Sequence, residues 1–320
     1  MIKILVTDGI HPDGKMLLEE ANYQVDVQKV PQEELAKVLK AYDVIIVRSA
    51  TQVRKDVIDV CPNLKIIARG GVGLDNIDAE YAQSKGITVM NTPASSSKAV
   101  AELAFAHIFA LARNLHLSNR EMPSKGTSEF DKLKKNYSQG VQLRGKTLGI
   151  IGFGRIGQEV ARIGVGLGMN ILATDIMINE TNIGLNIFKN DDVSLSLRIK
   201  TESLERVLRE SDFISLHIPS ADKPVIGVEE LSILKKGSYL INTARGGTID
   251  EEALLNVLSS DMVAGVGLDV FEDEPTPRVE LLNHPKVSVS PHIGASTLEA
   301  QQNIGYELAD RIIAFFGDDK

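Results

Sequence analysis

Short apolar strands alternate with helical segments along this chain, and that alternation restricts the fold more than any other feature. Runs such as 43–47 and 64–68 are apolar at every position or nearly so. Continuous apolar runs are typical of parallel strands, because a strand covered by helices on both faces has no polar side. The series ends near Met90 and restarts at Thr147. The sequence therefore predicts two doubly wound α/β domains.

Composition narrows the class of protein further. The chain has 320 residues, of which 43% are hydrophobic, and this is enough for two globular domains. A net charge of −8 argues against nucleic acid or an anionic membrane as a partner. The single cysteine, Cys61, excludes an internal disulfide and favours a reducing compartment. The N-terminus resembles a buried strand and not a signal peptide, so we expect a cytoplasmic protein.

Three segments outside the strands bear on the organisation of the chain. Residues 99–117 are strongly apolar but carry charges, which predicts one buried helix and not a membrane span. His107 and His116 lie on it and are expected to be core or interface residues. The lysine-rich stretch 125–142 separates the two series of strands. A last helix, about 298–316, follows the second series and could pack on the first domain.

A glycine-rich motif follows the first strand of the second series, and its members are Gly152, Phe153, Gly154, Arg155, Ile156 and Gly157. Its glycines allow a tight turn, close approach of a pyrophosphate and close helix packing. Asp175 ends the next strand, where a carboxylate accepts hydrogen bonds from a ribose 2′-OH and repels a 2′-phosphate. A glycine turn without a ligand is the alternative, but strand, helix and carboxylate together predict an NAD site.

Three side chains suited to acid–base chemistry follow strands of the second series. They are Arg245, Glu274 and His292. Ligands of open α/β sheets bind at the carboxyl ends of strands. Oxidation of a 2-hydroxy acid needs a cation for the carboxylate and a proton acceptor, often tuned by a carboxylate. The alternatives are an arginine that caps a helix and a solvated acidic loop. Metal-ligand spacings such as C-x-x-C are missing from the sequence, so no metal site is expected.

Nearly the whole chain resembles the family of D-isomer-specific 2-hydroxyacid dehydrogenases. The segments that carry the resemblance are 47–51, 69–76, 91–93, 101–103, 152–157, 242–247, 268–271, 274–275 and 291–297. The resemblance implies two Rossmann-like parallel-sheet domains with a cleft between them. Residues 1–97 plus 293–320 would form a discontinuous substrate-binding domain, and residues 98–292 the NAD-binding domain.

The resemblance also implies a role for each site residue. Arg245 would bind the substrate carboxylate, His292 would exchange the proton, and Glu274 would pair with His292. Asp269 would help to hold the nicotinamide. The full set of implied cofactor-binding residues is Gly152, Phe153, Gly154, Arg155, Ile156, Gly157, Asp175, His217, Thr243, Ala244, Arg245, Asp269 and His292. Family members are usually dimers, so a homodimer through the cofactor domain is expected.

The substrate is predicted from the first series of strands. Arg48 and Arg69 follow strands there and could bind a phosphate, and the backbone of Gly71, Val72 and Gly73 suits a carboxylate. Surface arginines without a ligand are the alternative. Together with these arginines, the resemblance implies NAD-dependent oxidation of 3-phospho-D-glycerate to 3-phosphooxypyruvate, the first step of serine biosynthesis. A reductase of hydroxypyruvate, glyoxylate or another 2-keto acid stays open, and so does a non-catalytic NAD-sensing scaffold.

Two departures from the family pattern carry further expectations. The segment 176–203 is long for the family and is expected to be a surface insertion. The sequence stops soon after the last helix, so we expect no C-terminal regulatory domain and no serine feedback through one.

The lysines at 132, 134 and 135 either reach a neighbouring subunit's site or form a solvated face, and a solvated face is the commoner case.

Overall fold

Two parallel sheets organise the chain. The computed structural model describes residues 1–186, 194–260 and 262–317. One unit consists of residues 1–99 together with the segment from residue 295 onward, and the other of residues 100–294. Each unit has its own parallel sheet, which confirms the predicted α/β fold class.

The sheet of the first unit has five parallel strands, namely β1 (Lys3–Val6), β2 (Gln24–Val27), β3 (Val44–Val47), β4 (Ile66–Arg69) and β5 (Thr88–Asn91). They lie in the order β2-β1-β3-β4-β5, so the strand order reverses between β1 and β3. All four residues of β3 are buried, as expected of a strand covered on both faces. The helices between the strands are α1 (Pro12–Glu20), α2 (Gln32–Val38) with a short 3₁₀ turn (Leu39–Ala41), α3 (Lys55–Asp59) and α4 (Ala79–Ser84).

The strands described from residue 100 onward are β6 (Thr147–Ile151), β7 (Asn170–Thr174), β8 (Glu180–Asn186), β9 (Ser194–Lys200), β10 (Phe213–Leu216), β11 (Ser238–Asn242), β12 (Val263–Leu268) and β13 (Val287–Val289). Six of them form a parallel sheet in the order β13-β12-β11-β10-β6-β7. The remaining helices are α5 (Ser97–Ala112), α6 (Leu115–Lys125), α7 (Phe130–Asn136), α8 (Arg155–Gly166), α9 (Leu204–Glu210), α10 (Val228–Ser232), α11 (Glu251–Leu258), α12 (Val279–Asn283) and α13 (Leu298–Gly317).

The single helix predicted over residues 99–117 is wrong. The structure ends α5 at Ala112 and begins α6 at Leu115. Asn114 between them has a φ of 55°, in the left-handed region. Asparagine enters that region more readily than most side chains, and one such residue interrupts the backbone geometry of a helix. The predicted last helix is confirmed as α13.

The segment 176–203 contains a β-hairpin in which β8 and β9 are antiparallel. Its described residues, 176–186 and 194–203, do not form a loose surface loop, because Ile183 is fully buried in the core of the second unit. Residues 187–193 of the expected insertion lie outside the described residues. The Nε of Arg162 on α8 also donates a hydrogen bond to the carbonyl oxygen of Gly184 at 3.0 Å. The hairpin is therefore anchored to the helix that follows the glycine-rich motif.

Helix α13 packs against α1 although the two are far apart in sequence. The close approach occurs where Gly14 meets Gly305, since a Cβ added at Gly14 would lie 2.6 Å from the carbonyl oxygen of Gly305. Two glycines facing each other let helix backbones approach more closely than side chains would allow. Ile304, Leu308 and Ile312 of α13 are buried in the core beneath β1 and β3.

Candidate active site

The glycine-rich motif lies where the strand order of the second sheet reverses. The chain passes from β6 to α8 on one side of that point, and β10 lies on the other side of β6. Gly152 has a φ of 90°, and a side chain there would overlap the carbonyl oxygen of His217 after β10. A side chain at Gly157 would overlap the carbonyl oxygen of Gly152. Crevices at such reversal points are where open α/β sheets bind ligands.

The middle glycine of the motif, Gly154, has open space beside its Cα, whereas Gly152 and Gly157 are packed against backbone atoms. A Cβ added at Gly154 would meet no atom within 4 Å, and Gly154 is the N-cap of α8. No side chain caps this helix. The N–H groups of its first turn, which begins with Arg155 and Ile156, therefore keep their capacity to bind an anion. This open helix N-terminus fits a dinucleotide pyrophosphate.

Asp175 ties the end of β7 to the glycine-rich loop. Its Oδ2 accepts a hydrogen bond from the Phe153 N–H at 2.6 Å. Its Oδ1 accepts from the N–H groups of Met177 at 2.8 Å and Ile178 at 3.1 Å. A carboxylate has about four acceptor positions, so this one keeps capacity for a further donor. The residue present thus fits a ribose hydroxyl as well as holding the loop.

His217 stands at the carboxyl end of β10. Its Nε2 is hydrogen-bonded to the hydroxyl of Ser215 at 2.8 Å. Burial lowers the pKa of the ring to about 3, so the ring is neutral at physiological pH. Only the carbonyl oxygen of His217 is brought against Gly152, and a role of the residue in cofactor binding stays a prediction.

The structure brings His292 and Glu274 together. The Nδ1 of His292 lies 2.8 Å from Oε2 of Glu274, and the side chains are 44% and 35% exposed. The other oxygen of Glu274, Oε1, accepts a hydrogen bond from the Phe271 N–H at 3.0 Å. Because a carboxylate only accepts, the neutral ring carries its proton on Nδ1. The Nε2 lone pair of His292 is then available to take a proton.

The backbone at His292 is held in an unusual conformation. His292 has a φ of 53°, in the left-handed region, and its N–H donates to the carbonyl oxygen of Asp269 at 2.8 Å. The Asp269 carboxylate accepts from the N–H groups of Ile293 and Gly294, both at 2.9 Å. Asp269 is 1% exposed. Several hydrogen bonds to Asp269 therefore hold the turn that presents His292. Strained backbone at a functional site needs such restraints.

Arg245 follows β11, and its loop packs against the loop that carries Glu274. A side chain at Gly246 would overlap the carbonyl oxygen of Phe271. The carbonyl oxygen of Arg245 accepts hydrogen bonds from Asn242 at 2.9 Å and Thr248 at 2.7 Å. Of the other predicted cofactor residues at this strand end, Thr243 and Ala244 are buried. The second unit therefore gathers Arg245, Glu274 and His292 at the ends of adjacent strands.

The first unit gathers the predicted substrate residues at its own strand ends. Arg48 follows β3, and Arg69 ends β4 beside it. Both border the Gly70–Gly71 turn, since a Cβ added at Gly71 would lie 2.5 Å from Nη1 of Arg69 and one at Gly70 would lie 3.6 Å from Cγ of Arg48. Val72 and Gly73 continue this turn, and the Val72 carbonyl oxygen accepts from Asn91 at 2.6 Å.

Two residues that sequence reasoning did not single out organise these loops. Asp8 follows β1, and its Oδ2 accepts from the N–H groups of Arg48 at 2.7 Å and Thr51 at 3.0 Å. The amide of Asn76 donates to the carbonyl oxygens of Arg48 at 2.9 Å and Thr51 at 2.6 Å. The position of Asp8 directly after a strand was the available signal. Asn76 left none, because its partners are distant in sequence.

Among residues 1–186, 194–260 and 262–317, no three His, Cys, Asp or Glu side chains are grouped so that they could hold a metal ion. Within the same ranges, no helix is long and apolar enough to cross a membrane. One of the three lysines that sequence analysis left open, Lys132, forms an exposed ion pair with Glu129 at 2.6 Å.

Comparison with known proteins assigns a family to this arrangement. Residues 105–294 match the family model described as the NAD-binding domain of D-isomer-specific 2-hydroxyacid dehydrogenases. A hydroxypyruvate reductase of Thermotoga maritima is 42% identical, over 98% of this chain and 98% of that protein. A D-3-phosphoglycerate dehydrogenase of Methanocaldococcus jannaschii is 40% identical over 98% of this chain, which spans 57% of that protein's length.

Solved structures agree with the sequence relatives. The D-lactate dehydrogenase of Aquifex aeolicus, crystallised with NAD and lactic acid, superposes with a TM-score of 0.75. Its sequence is 31% identical, and the match covers 99% of this chain and 96% of that one.

Proposed function

The chain belongs to the family of D-isomer-specific 2-hydroxyacid dehydrogenases, which are NAD-dependent oxidoreductases, and from this premise we propose that it oxidises 3-phospho-D-glycerate to 3-phosphooxypyruvate. The observation that carries the reaction class is the pairing of His292 with Glu274 at 2.8 Å, at strand ends adjacent to Arg245. This reaction would be the first step of serine biosynthesis.

Each residue of the set has one task in the proposed mechanism. Arg245 binds the carboxylate of the substrate with its guanidinium group, and in the reverse direction it polarises the carbonyl of the keto acid. The Nε2 of neutral His292 takes the proton of the C2 hydroxyl as general base. Glu274 holds the Nδ1–H of His292, and its negative charge stabilises the imidazolium that results. In the reverse direction protonated His292 donates the same proton.

The cofactor would be held by the residues that fit it. NAD, when bound, supplies the hydride acceptor of the reaction. The N–H groups of the first turn of α8 bind its pyrophosphate, and Asp175 binds a ribose hydroxyl. Asp269 keeps one acceptor position on Oδ2, because its carboxylate accepts one hydrogen bond there and two on Oδ1. That position suits an N–H of the nicotinamide carboxamide.

The phosphate of the substrate is assigned to the first unit. Arg48 and Arg69 border one glycine turn at adjacent strand ends, and Asp8 fixes the loop that carries Arg48. The strand order of this sheet also reverses between β1 and β3, directly below Asp8 and Arg48. Two guanidinium groups at such a reversal point favour a doubly charged group over a neutral hydroxymethyl. This favours phosphoglycerate over lactate or glycerate.

Reduction of hydroxypyruvate is the second candidate. It is favoured by the 42% identity to a hydroxypyruvate reductase whose whole length this chain matches. The same Arg245, Glu274 and His292 would perform it, with hydroxypyruvate in place of the phosphorylated keto acid. A non-catalytic NAD-binding scaffold would share the cofactor site but show no turnover.

Initial rates with the purified protein separate these functions. NADH formation is followed with NAD and 3-phosphoglycerate at alkaline pH, with a trapping amine that removes 3-phosphooxypyruvate. Turnover that lactate and glycerate do not support is the expected result. Turnover with NADH and hydroxypyruvate, but none with the phosphorylated substrate, would replace the proposal by the second candidate. Binding of NAD without turnover on any 2-keto acid would indicate the scaffold.

The two arginines provide the sharper test of the substrate. Arg48→Ala and Arg69→Ala are each expected to raise the KM for 3-phosphoglycerate by roughly 10- to 100-fold, because each loses a charge-assisted hydrogen bond to phosphate. Rates with hydroxypyruvate should change far less. Arg54→Ala is the matched control, since Arg54 pairs with Asp78 in the same unit and has no proposed contact with substrate. Equal effects of all three variants would remove the phosphate assignment.

The proposal includes a homodimer through the NAD-binding unit. Phe109, Leu115, Met122 and Phe130 are exposed on α5, α6 and α7 of that unit, which supports an apolar interface there. Sedimentation equilibrium would give twice the chain mass. Paired charge substitutions, Phe109→Glu with Leu115→Glu, would return the protein to monomers.

A further inference from the structure

A chain of hydrogen bonds runs from α5 to the turn that presents His292. His107 of α5 is 5% exposed, and its Nδ1 lies 2.9 Å from the hydroxyl of Ser288. Its Nε2 lies 2.9 Å from the hydroxyl of Ser290. The Ser290 hydroxyl donates to Oδ1 of Asp269 at 2.6 Å. All four residues belong to the second unit.

The direction of each bond follows from the chemistry of the groups. The Asp269 carboxylate only accepts, so the one proton of the Ser290 hydroxyl is used there. Ser290 must then accept from His107, which places a proton on Nε2. A neutral imidazole has no second proton, so Nδ1 accepts from the hydroxyl of Ser288. The ring is therefore held in one tautomer, with every hydrogen bond pointing towards Asp269.

The ring stays neutral because it is buried. Burial lowers the pKa of His107, and the nearby Asp269 carboxylate opposes that shift only in part. Its packing is close as well, since a Cβ added at Gly267 of β12 would lie 2.7 Å from the Cβ of His107. The histidine thus has one position and one protonation state at pH 7.

The series of hydrogen bonds that starts at His107 ends at the segment around His292. Asp269 accepts from the amides of Ile293 and Gly294, and these follow a residue with a φ of 53°. Left-handed backbone at a non-glycine residue is strained, so it needs such restraints. Oδ1 of Asp269 receives both the Ser290 hydroxyl and the Ile293 amide. Movement of Ser290 would therefore change how Asp269 holds the turn.

We propose that His107 is a positioning residue, which through Ser290 orients the Asp269 carboxylate and so fixes the turn that presents His292. The inference that this improves catalysis rests on the proposed function. The hydrogen-bond chain itself does not, because it is formed by protein groups alone.

The test compares two substitutions of His107. Methionine has a similar volume but cannot donate to Ser290, whereas the side-chain amide of glutamine can donate in place of Nε2. His107→Met is expected to accelerate hydrogen exchange of the Ile293 and Gly294 amides about 10-fold, while amides of β6 exchange as before. His107→Gln is expected to restore most of the protection. Exchange that rises equally throughout the second unit, or not at all, would overturn the proposal.

Ser290 supplies an independent check through a double-mutant cycle. His107→Met and Ser290→Ala interrupt the same chain, so the double variant should exchange no faster than the more affected single one. Additive effects would contradict a shared path. His116→Gln is the control. The ring of His116 is hydrogen-bonded to the carbonyl oxygens of Ala110 and Pro285, and it takes no part in the hydrogen bonds between His107 and Asp269.

Catalysis is measured separately. His107→Met should lower kcat about 10-fold with the KM for the 2-hydroxy acid nearly unchanged, because a displaced His292 affects proton transfer and not substrate binding. Wild-type protein without turnover on any 2-keto acid would refute the proposed function and leave the exchange result to decide the role of His107. Normal kcat in His107→Met, with turnover in the wild type, would refute the catalytic part.

Discussion

At the scale of single residues, one carboxylate decides the state of the proposed base. Glu274 accepts from the Phe271 N–H with one oxygen and from His292 with the other. The first bond fixes the carboxylate, and the second selects the tautomer of the ring. Because Nδ1 keeps its proton, Nε2 is the atom that can exchange a proton with substrate. Two hydrogen bonds thus supply both position and protonation state.

This pairing predicts an order of effects on turnover. His292→Ala removes the base and should lower kcat by roughly 10³-fold. Glu274→Gln should lower it by about 10- to 100-fold, because an amide cannot accept on both atoms and carries no charge for the imidazolium. Glu280→Gln, at an exposed position of α12, should leave kcat unchanged. Initial rates of NADH formation measure all three. Full activity of Glu274→Gln would show that the pair does not tune the base.

At the scale of elements, the glycine spacing makes β6, its loop and α8 one rigid piece. Gly152 turns the chain with a positive φ, and Gly157 lets α8 approach the carbonyl oxygen of Gly152. The buried face of α8 has helical spacing, with Gly157, Val160, Ala161 and Gly164. Separation of the helix from the loop would therefore displace the open N-terminus that fits the pyrophosphate.

Two glycines of α8 therefore predict opposite outcomes. Gly157→Ala forces the helix away from the loop, which should lower the free energy of unfolding by about 1–3 kcal/mol and weaken NAD binding. A Cβ at Gly166 would meet no atom within 4 Å, so Gly166→Ala should leave NAD binding unchanged. It should raise the free energy of unfolding by up to about 1 kcal/mol, because alanine lowers the conformational entropy of the unfolded chain. Urea denaturation and NAD titration measure both. Unaltered NAD binding in Gly157→Ala would refute close packing as the function of this glycine.

At the scale of the whole molecule, the second unit removes three histidine rings wholly or partly from water, since His107 is buried and His217 and His284 are half-buried. Burial lowers the pKa values of His107 and His284, and it lowers that of His217 to about 3. The unfolded chain binds a proton at each ring near pH 6.5, whereas the folded state does not. Stability from this source is therefore complete above pH 6.5 and is lost as the pH falls.

The consequence is acid-sensitive stability. Between pH 6.5 and about 3, the neutral His217 ring should lower the free energy of unfolding by up to about 1.4 kcal/mol per pH unit. His217→Gln removes the ring whose pKa is lowered to about 3. The free energy of unfolding of this variant should therefore fall less steeply as the pH falls. Urea denaturation at pH 7.5, 6.0 and 5.0 compares the variant with wild type. Identical pH dependence in both would show that His217 is not the source.

The alternation of strands, the glycine motif and the side chains at strand ends could be predicted from the sequence. Each depends on neighbours in the chain: a strand covered on both faces is apolar throughout, and a turn with a φ of 90° at Gly152 needs glycine. Because parallel strands end at one edge, the positions of Arg245, Glu274 and His292 after neighbouring strands could be expected, and the structure pairs His292 with Glu274 at 2.8 Å.

Other features were decided only by the tertiary structure. The packing of Gly14 on Gly305 and the bonds of Asn76 have no local signal. An asparagine at 114 permits a break without requiring one, and the position of Asp8 after β1 does not indicate which amides it binds. His107 was predicted as a core or interface residue, yet its partners Ser288 and Ser290 lie far along the chain. Such contacts depend on which distant segments folding brings together. A local pattern encodes the polarity and conformation of a segment, but not the partner that will satisfy its hydrogen bonds.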